Sequence, residues 1–164
     1  MNNKKNVQEV DYSNIESANT IIMIISYIGL FFSDFLGKNQ FHDDNISILG
    51  WIILIFGAFI AFSPKFFSKD KEISKLVDDK IYGLIRHPQY TGGVIIAIAM
   101  CLITQVWPTY LVALIAVITT YLSMILIEER LINKFGDQYQ EYMNKVPRSN
   151  IILGLIRKNN RDEL

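Results

Sequence analysis

Two short stretches of this sequence gather side chains that could do chemistry. The first, IYGLIRHPQYTGG from Ile81 to Gly93, sets Tyr82, Arg86, His87 and Tyr90 around Pro88 and a glycine pair. The second is Glu128-Glu129-Arg130. Arginine and histidine can hold an anion, while paired carboxylates can hold a cation or take a proton. Both stretches border long apolar runs, where an ionisable group is costly unless it pairs or serves a purpose. Adjacent carboxylates at a helix C-terminus also meet the negative end of the macrodipole, so a cation is expected beside them, from the protein or from a ligand. A purely structural reading gives Arg86 a salt bridge to a glutamate, makes His87 a turn cap and places the tyrosines in an aromatic belt. Pro88 and Gly92-Gly93 weigh against it, because they shape backbone where a simple span would use plain helix.

The elements that position these groups follow from hydropathy. The chain has 164 residues, 51% of them hydrophobic, and the apolar residues lie in runs. That pattern predicts an all-α, multi-pass membrane protein rather than a soluble core. Four segments stand out: about Thr20 to Leu36, which carries Asp34; Ile46 to Ser63, ending at Pro64; Gly92 to Val106; and Trp107 to Ile127. A bilayer core takes about 20 helical residues, so the third is short unless it begins inside the polar stretch. Trp107-Pro108-Thr109 reads as a tight turn between the third and fourth spans. Division of the single domain follows: a polar segment 1–19, two spans over 20–63, a catalytic-like core over 64–150 and a tail over 151–164.

Basic residues set the expected orientation. Lys4 and Lys5 precede the first span, the loop after it holds only Lys38 beside Asp43 and Asp44, six Lys and Arg residues run from Lys65 to Arg86, the turn before the fourth span has none, and the remainder follow Ile127. This alternation predicts four spans with both termini and the basic loops cytoplasmic. An antiparallel pair made of the third and fourth spans then brings Arg86-His87 beside Glu128-Glu129. Beyond it, Leu131, Ile132, Phe135, Tyr139, Tyr142, Met143 and Val146 recur at helical spacing, predicting an amphipathic C-terminal helix with a bend at Gly136 and an end at Pro147. Ile151 to Ile156, flanked by Arg148 and Arg157, reads as a further membrane-touching patch.

Several classes are disfavoured. The formal net charge is zero, which gives no electrostatic reason for a nucleic-acid partner. Cys101 is the only cysteine, so there is no internal disulfide or cysteine cage, and His42 and His87 stand in no ligand spacing; no metal is expected. Residues 1–19 do not read as a signal peptide. The terminal Arg161-Asp162-Glu163-Leu164 mimics a lumenal retention signal, but the topology places it in the cytoplasm. The abundance of Ile, Asn and Lys suits an AT-rich genome and hence a bacterial or archaeal cell membrane.

The RHPQY of Arg86 to Tyr90, with Tyr82 upstream, resembles the Arg-His-Pro-x-Tyr signature of the isoprenylcysteine carboxyl methyltransferase and phospholipid methyltransferase superfamily. EERLINKFGDQYQEYMNKVPR, Glu128 to Arg148, resembles its second block of paired glutamates, Phe-Gly, Tyr-x-x-Tyr and Val-Pro-Arg. The resemblance covers about 74–148. It implies S-adenosylmethionine as methyl donor, with Lys75, Leu76, Val77, Tyr82, His87, Pro88, Gln89 and Tyr90 near it and Glu128 or Glu129 completing the site. Arg130 and Arg148 join the glutamates as candidate catalytic groups. The implied partner is a lipophilic or small acceptor (thiol, carboxylate or amine) together with membrane lipid. Methyl transfer needs proximity, alignment and a dry site; an amine acceptor also needs a glutamate or tyrosine to take its proton. Family members that esterify prenylcysteine carry an arginine one turn before the glutamates; Ser123 to Ile127 has no cation here. Two other readings are a membrane reductase akin to sterol reductases, using a nicotinamide cofactor, and a non-enzymatic membrane scaffold.

Overall fold

A computed structural model describes residues 13–36, 42–67 and 81–162. These residues form six α-helices: α1 (Ser13–Phe32), α2 (Asp44–Phe67), α3 (Pro88–Thr104), α4 (Trp107–Phe135), α5 (Asp137–Lys145) and α6 (Ile151–Asp162), with a 3₁₀ turn at Ser33–Leu36 after α1. Helices α1, α2 and α4 are long and apolar enough to cross a bilayer, and α3 is a shorter apolar helix. The chain is an integral, multi-pass, all-helical membrane protein.

Four details of the expected spans change. The first helix starts earlier than Thr20 and stops at Phe32, where the backbone tightens into the 3₁₀ turn. Helix α2 does not stop at Pro64 but continues to Phe67. A proline removes the N–H that would reach the carbonyl four residues back, here that of Ile60. The Ser63 hydroxyl donates to this carbonyl at 2.6 Å, so the group Pro64 leaves unpaired is satisfied from the neighbouring position. Helix α3 takes the alternative start that its short apolar run left open, inside the polar stretch rather than at Gly92, with Pro88 in its first turn, where a missing N–H costs nothing. The α3–α4 turn is made by Gln105 and Val106, not Trp107-Pro108-Thr109, which already belong to α4. Gln105 adopts a left-handed conformation (φ 54°), unusual without glycine. Its side chain is locked in place: the amide nitrogen donates to Asp43 O at 2.8 Å, and the amide oxygen accepts from Asp43 N at 3.0 Å. Asp43 in turn caps α2 by accepting from Asn45 N and Ile46 N.

Packing follows the rules of helices in lipid, where small residues and interhelical hydrogen bonds replace the hydrophobic drive. Helix α2 lies along α3 at backbone contact; a Cβ placed on Gly92 would fall 2.4 Å from Ala61 N and 2.6 Å from Gly57 O. Helix α1 lies along α4 and is joined to it by polar pairs. Asn19 Nδ2 donates to Thr119 O (3.0 Å) and Ser123 Oγ (2.6 Å), Tyr27 Oη meets Thr120 Oγ1 (3.1 Å), and Ser33 Oγ meets Thr109 Oγ1 (2.6 Å). Leu30, Ala97, Met100, Ala113 and Ala116 form the core between these helices. Such hydrogen bonds are worth about 0.6 kcal/mol on average and under about 2 kcal/mol at most. Asn19→Leu, which loses two, is therefore expected to cost about 1 kcal/mol in reversible unfolding by sodium dodecyl sulfate; an unchanged midpoint would show that α1 is held by packing alone.

Helix α4 has 29 residues and is roughly 43 Å long, against a hydrocarbon core of about 30 Å. Its last turns, from Glu128 onward, extend past the apolar run. At Gly136 (φ 55°) the chain turns, as expected, and Tyr139 and Tyr142 of α5, with Val146 just after it, pack against Leu131, Ile132 and Phe135. No atom would meet a Cβ at Gly136 within 4 Å, so glycine is needed there for the backbone angle and not for space.

Candidate active site

The site lies where the start of α3, the late turns of α4 and the loop after α5 meet. Two backbone hydrogen bonds stitch the distant segments together: Arg86 N donates to Pro147 O (3.0 Å) and His87 N to Arg148 O (3.2 Å). Ile85, Pro88 and Val146 are fully buried around this seam. Tyr142 Oη donates to Tyr82 O at 2.7 Å, fastening the preceding turn to α5. Gly154 of α6 rests on the same turn, so close to Leu84 O that a Cβ would fall 2.0 Å from it.

Glu128 is the hub. It is 3% exposed, and its two carboxylate oxygens face different partners. Oε1 is 2.9 Å from Arg86 Nη1 and 3.0 Å from His87 Nε2, which can donate to it. Oε2 accepts from Arg148 Nη2 at 2.5 Å, and Arg148 Nε bridges both oxygens at 3.1 and 3.2 Å. The side chains of Arg86 and His87 are 9% and 6% exposed. One buried carboxylate therefore serves two arginines and a histidine, and the cluster carries excess positive charge. Breaking such a buried network by removing its only anion leaves uncompensated charge, which is costly.

Arg86 is not fully satisfied by this arrangement. Its Nη1 forms a close ion pair with Glu128, but at an angle unsuited to a hydrogen bond; among the described residues, Nε and Nη1 are the buried side-chain atoms without a hydrogen-bond partner. Its guanidinium also neighbours the Tyr139 phenol. Buried donors of this kind call for an acceptor from outside the chain.

The other expected site residues are spread around the hub. The Tyr90 ring meets the His87 ring edge-on at 5.9 Å, Gln89 is exposed, and Tyr82 is half-buried. His87 stands at the N-cap of α3 without a side-chain capping bond; its imidazole goes to Glu128 instead. Glu129, half-buried, is about 100° around the helix from Glu128. Arg130 is brought not to the hub but to Glu16 of α1, at 3.1 Å in an exposed pair. Lys75, Leu76 and Val77 lie outside the described residues. Burial pushes the Tyr82 and Tyr139 phenols above their ordinary range, so both remain protonated donors rather than ready bases. Among the described residues no three His, Cys, Asp or Glu side chains group as metal ligands.

One functional contact was not foreseen. Arg148 Nη1 donates to Tyr121 Oη at 3.0 Å, and its guanidinium carbon is 5.3 Å from the Tyr121 ring centroid. Tyr121 sits seven residues before Glu128, two turns back on the same helix side, so the spacing was available in the sequence.

S-adenosylmethionine offers one carboxylate, an ammonium and a sulfonium. The Arg86 nitrogens without a hydrogen-bond partner and the positive excess match the carboxylate, while a glutamate such as Glu129 and the Tyr90 ring have the chemistry the cations need. The residues present fit the group. Comparison with known sequences agrees: the sequence model of the family described as phospholipid methyltransferase matches residues 45–138, more than half of the chain. No curated protein and no solved structure matches significantly.

Proposed function

We propose that this chain, which belongs to the phospholipid methyltransferase family and so is an S-adenosylmethionine-dependent membrane methyltransferase, methylates a lipid-type acceptor that reaches the Glu128 hub sideways from the bilayer. The observation that carries this reading is the buried, positively charged cluster on Glu128 with donors left over on Arg86. The distribution of basic residues further supports a cytoplasmic position for the site and for both termini.

The donor supplies an electrophilic methyl group on a sulfonium. Arg86 would hold the donor carboxylate with Nε and Nη1, the buried nitrogens without a hydrogen-bond partner, although Nη1 also pairs electrostatically with Glu128. His87 and Arg148 fix the Glu128 carboxylate, and Glu128 fixes both arginines, so the charges are set before any ligand arrives. Tyr90, held against the His87 ring, offers an aromatic face to a cation, and Glu129 offers a carboxylate. If the acceptor is an amine, Glu129 would take its proton. The apolar helices α3 and α4 beside the hub lower the local dielectric, which strengthens each of these interactions.

Isothermal titration of the detergent-solubilised protein with S-adenosylmethionine, and with NADPH as the counter-ligand, tests the reading. The methyl donor is expected to bind and NADPH is not; the reverse result would favour a reductase. Hydrogen bonds to charged groups are worth about 1.5–3 kcal/mol, so Arg86→Gln is expected to weaken donor binding about 10- to 100-fold. Wild-type affinity in a folded Arg86→Gln protein would remove Arg86 from the donor site.

A further inference from the structure

Arg148 stands on a boundary that no other member of the charge cluster reaches. Two of its nitrogens serve buried Glu128, while Nη1 turns to Tyr121, which is 51% exposed. Tyr121 belongs to a continuous exposed stripe of α4 with Leu114, Ile118 and Ile125, spaced at helical period, and this is the face an apolar span presents to lipid. Tyr121 is roughly 10 Å along the helix from Glu128, inside the apolar run but near its end. The Arg148 side chain, 29% exposed, thus reaches from buried Glu128 to the edge of this bilayer-facing stripe.

A cation in that position is costly unless an anion meets it. Glu128 meets it through Oε2, but the same carboxylate also serves Arg86 and His87 through Oε1, so one negative charge is shared by two arginines. Arginine has five N–H donors, and three are engaged here: Nε, one on Nη2 and one on Nη1. One hydrogen on each terminal nitrogen is left for a further acceptor such as a phosphate oxygen. Tyr121 Oη, which accepts from Arg148, still has its own hydrogen to give.

Building on the methyltransferase reading, we propose that Arg148 and Tyr121 form a bilayer-facing subsite for the phosphate of a phospholipid headgroup, which places the acceptor's headgroup beside the donor pocket. Glu128 separates the two anion-binding arginines: Arg86 faces the interior and the donor carboxylate, Arg148 the bilayer and the lipid phosphate. The subsite selects acceptors carrying a phosphodiester over uncharged lipids with the same chains.

Native mass spectrometry of the full chain released from detergent micelles tests this, with three probes: a dioleoyl lipid bearing a phosphoethanolamine headgroup, dioleoylglycerol and inorganic phosphate. Wild-type protein is expected to retain the phosphate-bearing lipid about tenfold better than dioleoylglycerol. That preference is expected to fall at least threefold in Tyr121→Phe, which keeps the exposed ring and loses the hydroxyl, and further in Tyr121→Leu. Equal retention of the two lipids by the wild type, or a preference unchanged in both variants, would overturn the subsite. Displacement of the lipid by millimolar inorganic phosphate would assign the site to a free anion and also overturn it. Titration of the wild type with S-adenosylmethionine runs alongside: a protein that prefers the phospholipid but binds no donor would retain the subsite and lose the methyltransferase reading.

Discussion

Glu128→Gln is expected to destabilise the protein by about 3–5 kcal/mol and to abolish donor binding. The amide keeps the shape of the carboxylate but removes the only negative charge among Arg86, His87 and Arg148, all of which point at it. Two buried or half-buried guanidiniums would then face each other without an anion, and the least costly escape is separation of the α3 start from the loop after α5. That separation breaks the backbone bonds from Arg86 and His87 to Pro147 and Arg148. Unfolding in sodium dodecyl sulfate measures the first effect and calorimetry with S-adenosylmethionine the second. Glu129→Gln is the contrast: a stability near wild type is expected, since Glu129 is not the residue on which the three basic side chains converge. Equal losses in the two variants would mean that the hub has been assigned to the wrong glutamate.

The second large effect concerns a glycine. Gly92→Val is expected to cost about 3 kcal/mol, the upper part of the range for overpacking. Its new Cβ would strike the Ala61 nitrogen and the Gly57 oxygen, which are backbone atoms of α2 and cannot rotate away. Relief requires α3 to move off α2, and α3 carries His87 at its first turn, so donor affinity is expected to fall with stability. Gly93→Ala, one residue on, is expected to cost under about 1 kcal/mol, because its Cβ meets the Tyr27 hydroxyl, the end of a side chain that can shift. If both glycines tolerate substitution equally in the unfolding assay, close approach of α2 and α3 is not what holds the start of α3.

These two comparisons mark what could be read from the sequence and what could not. The hairpin was legible because hydropathy and loop charge fix antiparallel spans, and an antiparallel pair must bring Arg86-His87 near Glu128-Glu129. Which glutamate points inward was not legible from hydropathy, since every residue from Val112 to Ala116 and most of those up to Ile127 suit either lipid or protein. The phase resides instead in residue size: Ala113, Ala116, Thr120 and Met124 are the buried face of α4, and Glu128 continues it. Pro64 was read as a stop because the rule considers the lost N–H and not the hydroxyl beside it. The α3–α4 turn was misplaced because a left-handed glutamine has no local signature; it is held by Asp43, sixty-two residues away. The contact of Arg130 with Glu16 was equally hidden, since only the packing of α1 along α4 brings them together. Tyr121 has no signature in an apolar run beyond its spacing from Glu128, which puts both on one side of the helix.

The seam between the start of α3 and the loop after α5 also sets an order of events during synthesis. Pro147 and Arg148 leave the ribosome about sixty residues after Arg86 and His87, when both helices of the hairpin have already been made. Until then the start of α3 lacks the carbonyls that receive its two N–H groups, and Glu128 lacks its bidentate arginine. This end of the bundle therefore closes only after the hairpin is made, from segments outside the spans. A nascent chain whose hairpin has failed to insert has nothing for that segment to close upon, and its unpaired charges distinguish it from the finished enzyme.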